Sequence, residues 1–149
     1  MQPFRGQHEH SLDAKDRLTI PARLRAALAD GVVVNAGLDP CVEIWPIEGF
    51  SAFTQNFLAQ LNPLSSKARM MRRRFYSKAQ DEALDSAGRV RLAGHLLEHA
   101  GLEGKCVVVG VEDHLEVWSP ERWAEQDALI DAQAVEMAEE LAAAEMVGG

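Results

Sequence analysis

The residues best suited to chemistry in this sequence are two arginines, Arg17 and Arg89. Each stands four residues after an aspartate, in LDAKDRLTIP (12–21) and LDSAGRVRLA (84–93). A guanidinium is planar, permanently charged and carries a fork of donors that matches phosphate oxygens and the acceptor edge of guanine. Asp13 and Asp85 can accept the N–H groups of a turn or brace its arginine. A carboxylate facing phosphate would repel it, so both are assigned to bracing the loops. Gly88 supplies a positive φ at no steric cost, and Asp16 holds the same place in the first copy, because Asx residues tolerate the left-handed region. One reading is therefore DNA binding by Lys15, Arg17, Arg89 and Arg91, with Arg5 and Arg23 in support. The other is structural, with both arginines satisfied by Asp13 and Asp85 or by each other's loops.

Other spacings carry less. The string His95-Leu-Leu-Glu98-His99 fits the H-x-x-E-H pattern of a zinc peptidase, in which two imidazoles share a helix face and the glutamate is the general base. That helix is barely two turns long between Gly94 and Gly101, and Arg23–Ala27 in the first copy has no such set. No third ligand is evident, so no metal, cofactor or catalytic residue is assigned. His8 and His10 share one strand face, where surface positions are commoner than ligands. Cys41 and Cys106 read as buried free thiols, since a disulfide framework needs denser cysteines and a thiolate zinc site needs paired spacing. Neither a glycine-rich phosphate loop nor a G-x-S-x-G elbow occurs in the sequence.

The elements that must position the arginines are themselves duplicated. Leu12, Asp13, Arg17, Leu18, Ile20 and Leu24 match Leu84, Asp85, Arg89, Val90, Leu92 and Leu96. After one inserted residue, Gly37, Glu43, Ile44 and Trp45 match Gly110, Glu116, Val117 and Trp118. Each copy predicts a strand (Phe4–Leu12; Ala79–Leu84), the aspartate turn, and a strand returning antiparallel to it (Arg17–Ile20; Arg89–Leu92). A short helix follows in each, one opened by Pro21 and closed by Gly31, the other running from His95 to Ala100. Two strands complete each copy, Val32–Val34 and Val42–Trp45 in the first, Cys106–Val111 and Leu115–Trp118 in the second. Between the copies, Pro46 opens a helix with Phe50, Phe53, Phe57, Leu58 and Leu61 on one side, which Asn62-Pro63 is expected to stop. Ser65 or Ser66 caps another that runs to Tyr76. Ser119-Pro120 starts a final helix with an apolar stripe through Trp123, Ile130, Ala134, Met137 and Leu141, whose last residues, Met146 to Gly149, are expected to fray.

The net charge of −8 argues against a nucleic-acid partner until its distribution is read. From Glu112 to Gly149 there are eleven acids and one base; from Ser51 to Gln80 there are six bases and no acid. The basic run Lys67 to Arg74 is either a second DNA surface or a face that is solvated or salt-bridged to the acidic helix, and the second reading is preferred. No stretch of 18 apolar residues occurs and the polar start is not a signal peptide, so a cytosolic protein without a membrane span is expected.

The doubled D-x-x-x-R motifs, the opening Phe4-Arg-Gly6 and the Glu-Ile-Trp and Glu-Val-Trp echoes resemble the MraZ family over residues 3 to 125. Asp16 and Lys78 stand where that family usually has glycine. The resemblance implies an α+β fold, a pseudo-twofold β-barrel of two tandem AbrB-like swapped-hairpin repeats with flanking helices. It divides the chain into a first repeat with its connecting helix (3–62), a basic linker helix (63–78), a second repeat (79–125) and an acidic helix and tail (126–149). It further implies a sequence-specific regulator of transcription, expected to be a repressor at repeated operators upstream of division and cell-wall genes. Its partners would be double-stranded DNA and copies of itself in a ring, with no small-molecule substrate, in the cytoplasm at the nucleoid. The loop arginine is the residue that the resemblance ties to DNA, here Arg17 and Arg89. The alternative is a barrel of antitoxin type that binds protein.

Overall fold

β-Branched and apolar runs set the frame. The computed structural model describes residues 3–145 in full and the backbone of 146–148; the backbone is helical through Gly148, against the fraying expected from Met146, and Gly149 lies outside the described residues. The strands are β1 (Gln7–Ser11), β2 (Arg17–Thr19), β3 (Val32–Ala36), β4 (Val42–Pro46), β5 (Gln80–Glu82), β6 (Arg89–Arg91), β7 (Lys105–Gly110) and β8 (Leu115–Trp118). The helices are α1 (Ile47–Phe57), α2 (Ser66–Ser77), α3 (Gly94–Ala100) and α4 (Pro120–Gly148). A compact unit ends at Ser119, and α4 forms a second unit.

The two copies interleave. Strand β1 of the first pairs with β7 of the second, β5 of the second pairs with β3 of the first, and β2 pairs with β6. This corrects the expectation that β2 returns along β1. The two strands share one bridge, Leu12 to Leu18, and then diverge. Leu18 and Val90 are fully buried, so both strands turn inward to a common interior and take each other as partner. That exchange also explains why the expected closed barrel is not formed. With β2 and β6 in a separate two-stranded ladder, the main sheet runs β1-β7-β8-β4-β3-β5 and stays open at β1 and β5.

A pseudo-twofold relation organises the core. Equivalent residues Leu18 and Val90 face each other across β2 and β6, as Glu43 and Glu116 do across β4 and β8. Leu18, Ile20, Leu24 and Ile44 pack with their counterparts Val90, Leu92, Leu96 and Val117 in one cluster. The register refines the repeat alignment. His8 opposes Val108 and Gln80 opposes Val34, so β1 and β5 are offset by 72 residues while β3 and β7 are offset by 74. The second copy therefore gains two residues before β7 and gives one back in the following hairpin.

The helix expected after Pro21 is instead two 3-10 turns, Ala22–Leu24 and Ala26–Leu28. Both copies start alike, with Leu24 N donating to Pro21 O and Leu96 N to Ala93 O. They part at the next residue: Leu97 N donates to Ala93 O, the i−4 bond of an α-helix, whereas Arg25 N donates to Ala22 O and the turn stays 3-10, with Arg25 Nε on the Ile20 carbonyl at 2.8 Å. Helix α3 ends on Gly101 in the left-handed region, at φ 63°. Ser65 caps α2 by accepting from Ala68 N, and Asn35, fully buried in β3, donates to the Phe75 carbonyl and so fastens α2 to the sheet.

Candidate nucleic-acid interface

Each aspartate organises its turn before it meets its arginine. Asp13 Oδ1 accepts the backbone N–H groups of Lys15 and Arg17 at 2.9 Å, and Oδ2 accepts Arg17 Nε at 2.7 Å. Asp85 repeats the pattern with Ala87 N, Arg89 N and Arg89 Nε at 3.0, 2.9 and 2.8 Å. The backbone N–H of the arginine, and then its guanidinium, hold each carboxyl below the usual carboxylate range against the opposing effect of burial. The carboxylates engage Nε, so the outer edge of each guanidinium faces away from its own aspartate. The structural and the binding reading of these arginines are thus compatible in one geometry.

The two turns also hold each other. Ile20 N donates to Gly88 O at 2.9 Å, and Leu92 N donates to Asp16 O at 3.0 Å. Asp16 and Gly88 both have positive φ, 58° and 77°. Their surroundings differ, because the Arg25 side chain lies over Gly88, where a Cβ would come within 2.6 Å of Arg25 Cδ. Gly88 is buried and Asp16 is exposed, so the aspartate is tolerated only on the uncovered side.

Strand alternation then gathers the cations. Arg17 opposes Arg91 and Thr19 opposes Arg89 in the β2–β6 ladder, with buried Leu18 and Val90 between them on the inner face. Arg17, Arg89 and Arg91 therefore share the outer face, and exposed Lys15 stands in the adjoining turn. Arg17 Nη1 lies 3.8 Å from Asp85 Oδ2, which ties the two loops together. Four cations against Asp13, Asp16 and Asp85 leave this edge at +1 within a chain of −8. Directly opposed like charges weaken a ladder by roughly 0.2–1 kcal/mol, a strain that a bound anion relieves.

The other sequence candidates disperse. Arg5 is exposed beside Glu112 at 3.7 Å, and Arg23 Nη2 donates to Arg5 O at 3.1 Å while lying 3.0 Å from His8 Nε2. His8 and His10 are half-buried rather than on the surface. His95 Nε2 lies 3.2 Å from Lys78 O and His99 Nε2 lies 3.1 Å from Asp39 O, so the two imidazoles are directed to separate carbonyls. In the basic helix, Arg74 donates to Ala36 O and Gly37 O and Arg69 donates to Pro63 O. These partners are backbone carbonyls. Lys67, Arg72 and Arg73 are exposed. Cys41 and Cys106 are buried and free.

One cluster escaped the sequence reading. Glu43 and Glu116 accept the indole N–H of Trp45 and Trp118 at 3.1 and 3.0 Å. His114 stacks on Trp45 at 4.1 Å and points Nε2 between the two carboxylates. The only signal was a glutamate two residues before tryptophan in both copies, which shares a strand face with it but does not reveal the pairing of the two glutamates.

Two tandem copies of one unit that exchange strands and lay their Asp/Arg turns along a common ribbon define a two-repeat α+β protein with a cationic edge. The family model described as "MraZ protein, putative antitoxin-like" matches residues 3–74 and again 75–144. A protein of Symbiobacterium thermophilum named transcriptional regulator MraZ is 42% identical over 136 residues, covering 91% of this chain and 98% of that one. One of the same name from Limosilactobacillus fermentum is 44% identical over 126 residues, covering 84% and 87%. The chain belongs to the MraZ family.

Proposed function

We propose that this chain is a DNA-binding transcriptional regulator that reads its operator with the outer face of the β2–β6 ribbon. Arg17, Arg89 and Arg91 are its principal contacts and Lys15 a phosphate contact, while Asp13 and Asp85 brace the loops. The observation that carries the reading is the paired turn, in which each aspartate fixes the Nε of its arginine while 27% and 34% of the Arg17 and Arg89 side chains stay exposed. The major groove of DNA admits a two-stranded ribbon, and a rigid turn presents a guanidinium without the entropy cost of a free loop. On this reading the protein is a cytoplasmic, nucleoid-associated repressor of division and cell-wall genes, its own included. Copies join in a ring that engages repeated short operators at once. Two linked modules can raise affinity by about 10²–10⁴ over one, which compensates for a face of low net charge. The division into a first repeat with its helix (3–62), a basic linker helix (63–78), a second repeat (79–125) and an acidic tail (126–149) belongs to the same proposal.

The test is a titration of fluorescent DNA from the region upstream of the protein's own gene, repeated across a salt series. Arg17→Ala and Arg89→Ala are expected to weaken binding by about 1–3 kcal/mol per subunit contact and to flatten the salt dependence. Their oligomeric state in sedimentation should be unchanged. Undiminished affinity in both variants at fixed salt would remove the turns from the interface.

A further inference from the structure

We infer that Glu43, His114 and Glu116 form a binding site for a borderline divalent metal ion of the zinc type, on the pseudo-twofold seam between β4 and β8. One ligand atom from each residue lies within 4.8 Å of the others. Glu43 and Glu116 are register partners from opposite copies, so their carboxylates converge across one strand pair, each only 17% exposed at the side chain. Like charges so placed disfavour the ladder unless a cation joins them.

The histidine supplies the second, independent observation. Asp113 Oδ1 lies 2.7 Å from His114 Nδ1 and so orients the ring with Nε2 toward the seam. Nε2 is buried without a hydrogen-bond partner and points at Glu43 Oε2 and Glu116 Oε2, at 3.8 and 3.6 Å. Those separations are too long for hydrogen bonds, and a divalent cation among the three atoms would neutralise the paired carboxylates. Zinc bonds of about 2.0–2.1 Å to nitrogen and oxygen in tetrahedral geometry set ligand atoms roughly 3.3–3.5 Å apart, so the 3.8 and 3.6 Å between Nε2 and the two carboxylates need to close by only a few tenths of an ångström. The surroundings are those of an oriented ligand set. Asp113 orients the imidazole, Trp45 fixes the ring plane by stacking at an interplanar angle of 10°, and the two indoles hold the other carboxylate oxygens. Imidazole with carboxylate selects zinc, cobalt or nickel over magnesium, which keeps its waters. A bound ion would link the two repeats through paired strands.

The experiment uses the full chain, freed of metal by chelator, and titrates it with Co²⁺ and then Zn²⁺. The expected result is one equivalent of Co²⁺ per chain, with the visible absorption of a low-coordinate site, displaced by Zn²⁺ and accompanied by a rise in melting temperature. His114→Ala and Glu116→Gln should abolish that stoichiometric uptake, while His8→Ala with His10→Ala should retain it. Asp113→Asn, at a half-exposed side chain whose loss the fold should tolerate, is expected to weaken the ion by about 10–100-fold. Absence of stoichiometric uptake by the unaltered chain, or uptake unchanged by both His114→Ala and Asp113→Asn, would overturn the site.

Discussion

At the scale of single residues, the cationic edge depends on how little negative charge it carries. Asp16 is the one acid there that braces nothing by its side chain among the described contacts, and it holds a left-handed φ that glycine adopts freely. Asp16→Gly is expected to tighten DNA binding by about three- to tenfold and to steepen the salt dependence, as measured by anisotropy at two ionic strengths. Asp16→Asn, which removes charge alone, should yield most of the gain in affinity. The bracing aspartates impose a different pH behaviour. Both are held below the ordinary value, so the stability they lend the turns is fully present above roughly pH 4, near the unfolded carboxyl pKa, and is lost as pH falls through the lower folded value. An NMR titration following the Lys15 and Ala87 amides should therefore show midpoints below about 3.9, the ordinary aspartate value. Midpoints above it would mean that the carboxylates do not hold the turns in solution.

At the scale of elements, Gly88 is the point where the two copies constrain each other. Its carbonyl accepts from Ile20, its φ is left-handed, and Arg25 lies against it while donating to the Ile20 carbonyl. Gly88→Ala should cost on the order of 1–3 kcal/mol from backbone strain alone, before the displacement of Arg25. Calorimetry should record a fall in melting temperature of several degrees. A loss below about 0.5 kcal/mol would show that the Arg25 side chain relocates freely and that the turn is not locked. Helix α4 illustrates the opposite case. Leu129, Val135 and Leu141 are 50%, 74% and 71% exposed along it, so its apolar residues are not those of a buried stripe within this unit.

At the scale of the whole molecule, strand exchange makes the repeats mutually dependent. Because β1, β3 and β2 all pair with strands of the other copy, neither copy buries its apolar face alone. A fragment of residues 3–78 is expected to lack a cooperative thermal transition, and mixing it with residues 79–149 should restore one, as followed by circular dichroism. Cooperative unfolding of the first fragment by itself would contradict a shared core.

The sequence by itself determined the duplication, the positions of most strands and helices, the aspartate turns and the left-handed places at Asp16 and Gly88. These depend on local patterning: apolar period, turn residues and caps, all readable within ten residues. Tertiary structure alone decided which strands pair. An alternating strand offers the same hydrogen-bonding edge to a near or a distant partner, and only the shared burial of Leu18 and Val90 selects the distant one. The same long-range choice opened the sheet, gave the Ile20 carbonyl to Arg25, set Glu43 against Glu116 beneath His114, and brought Arg17 and Arg89 from opposite copies onto one face.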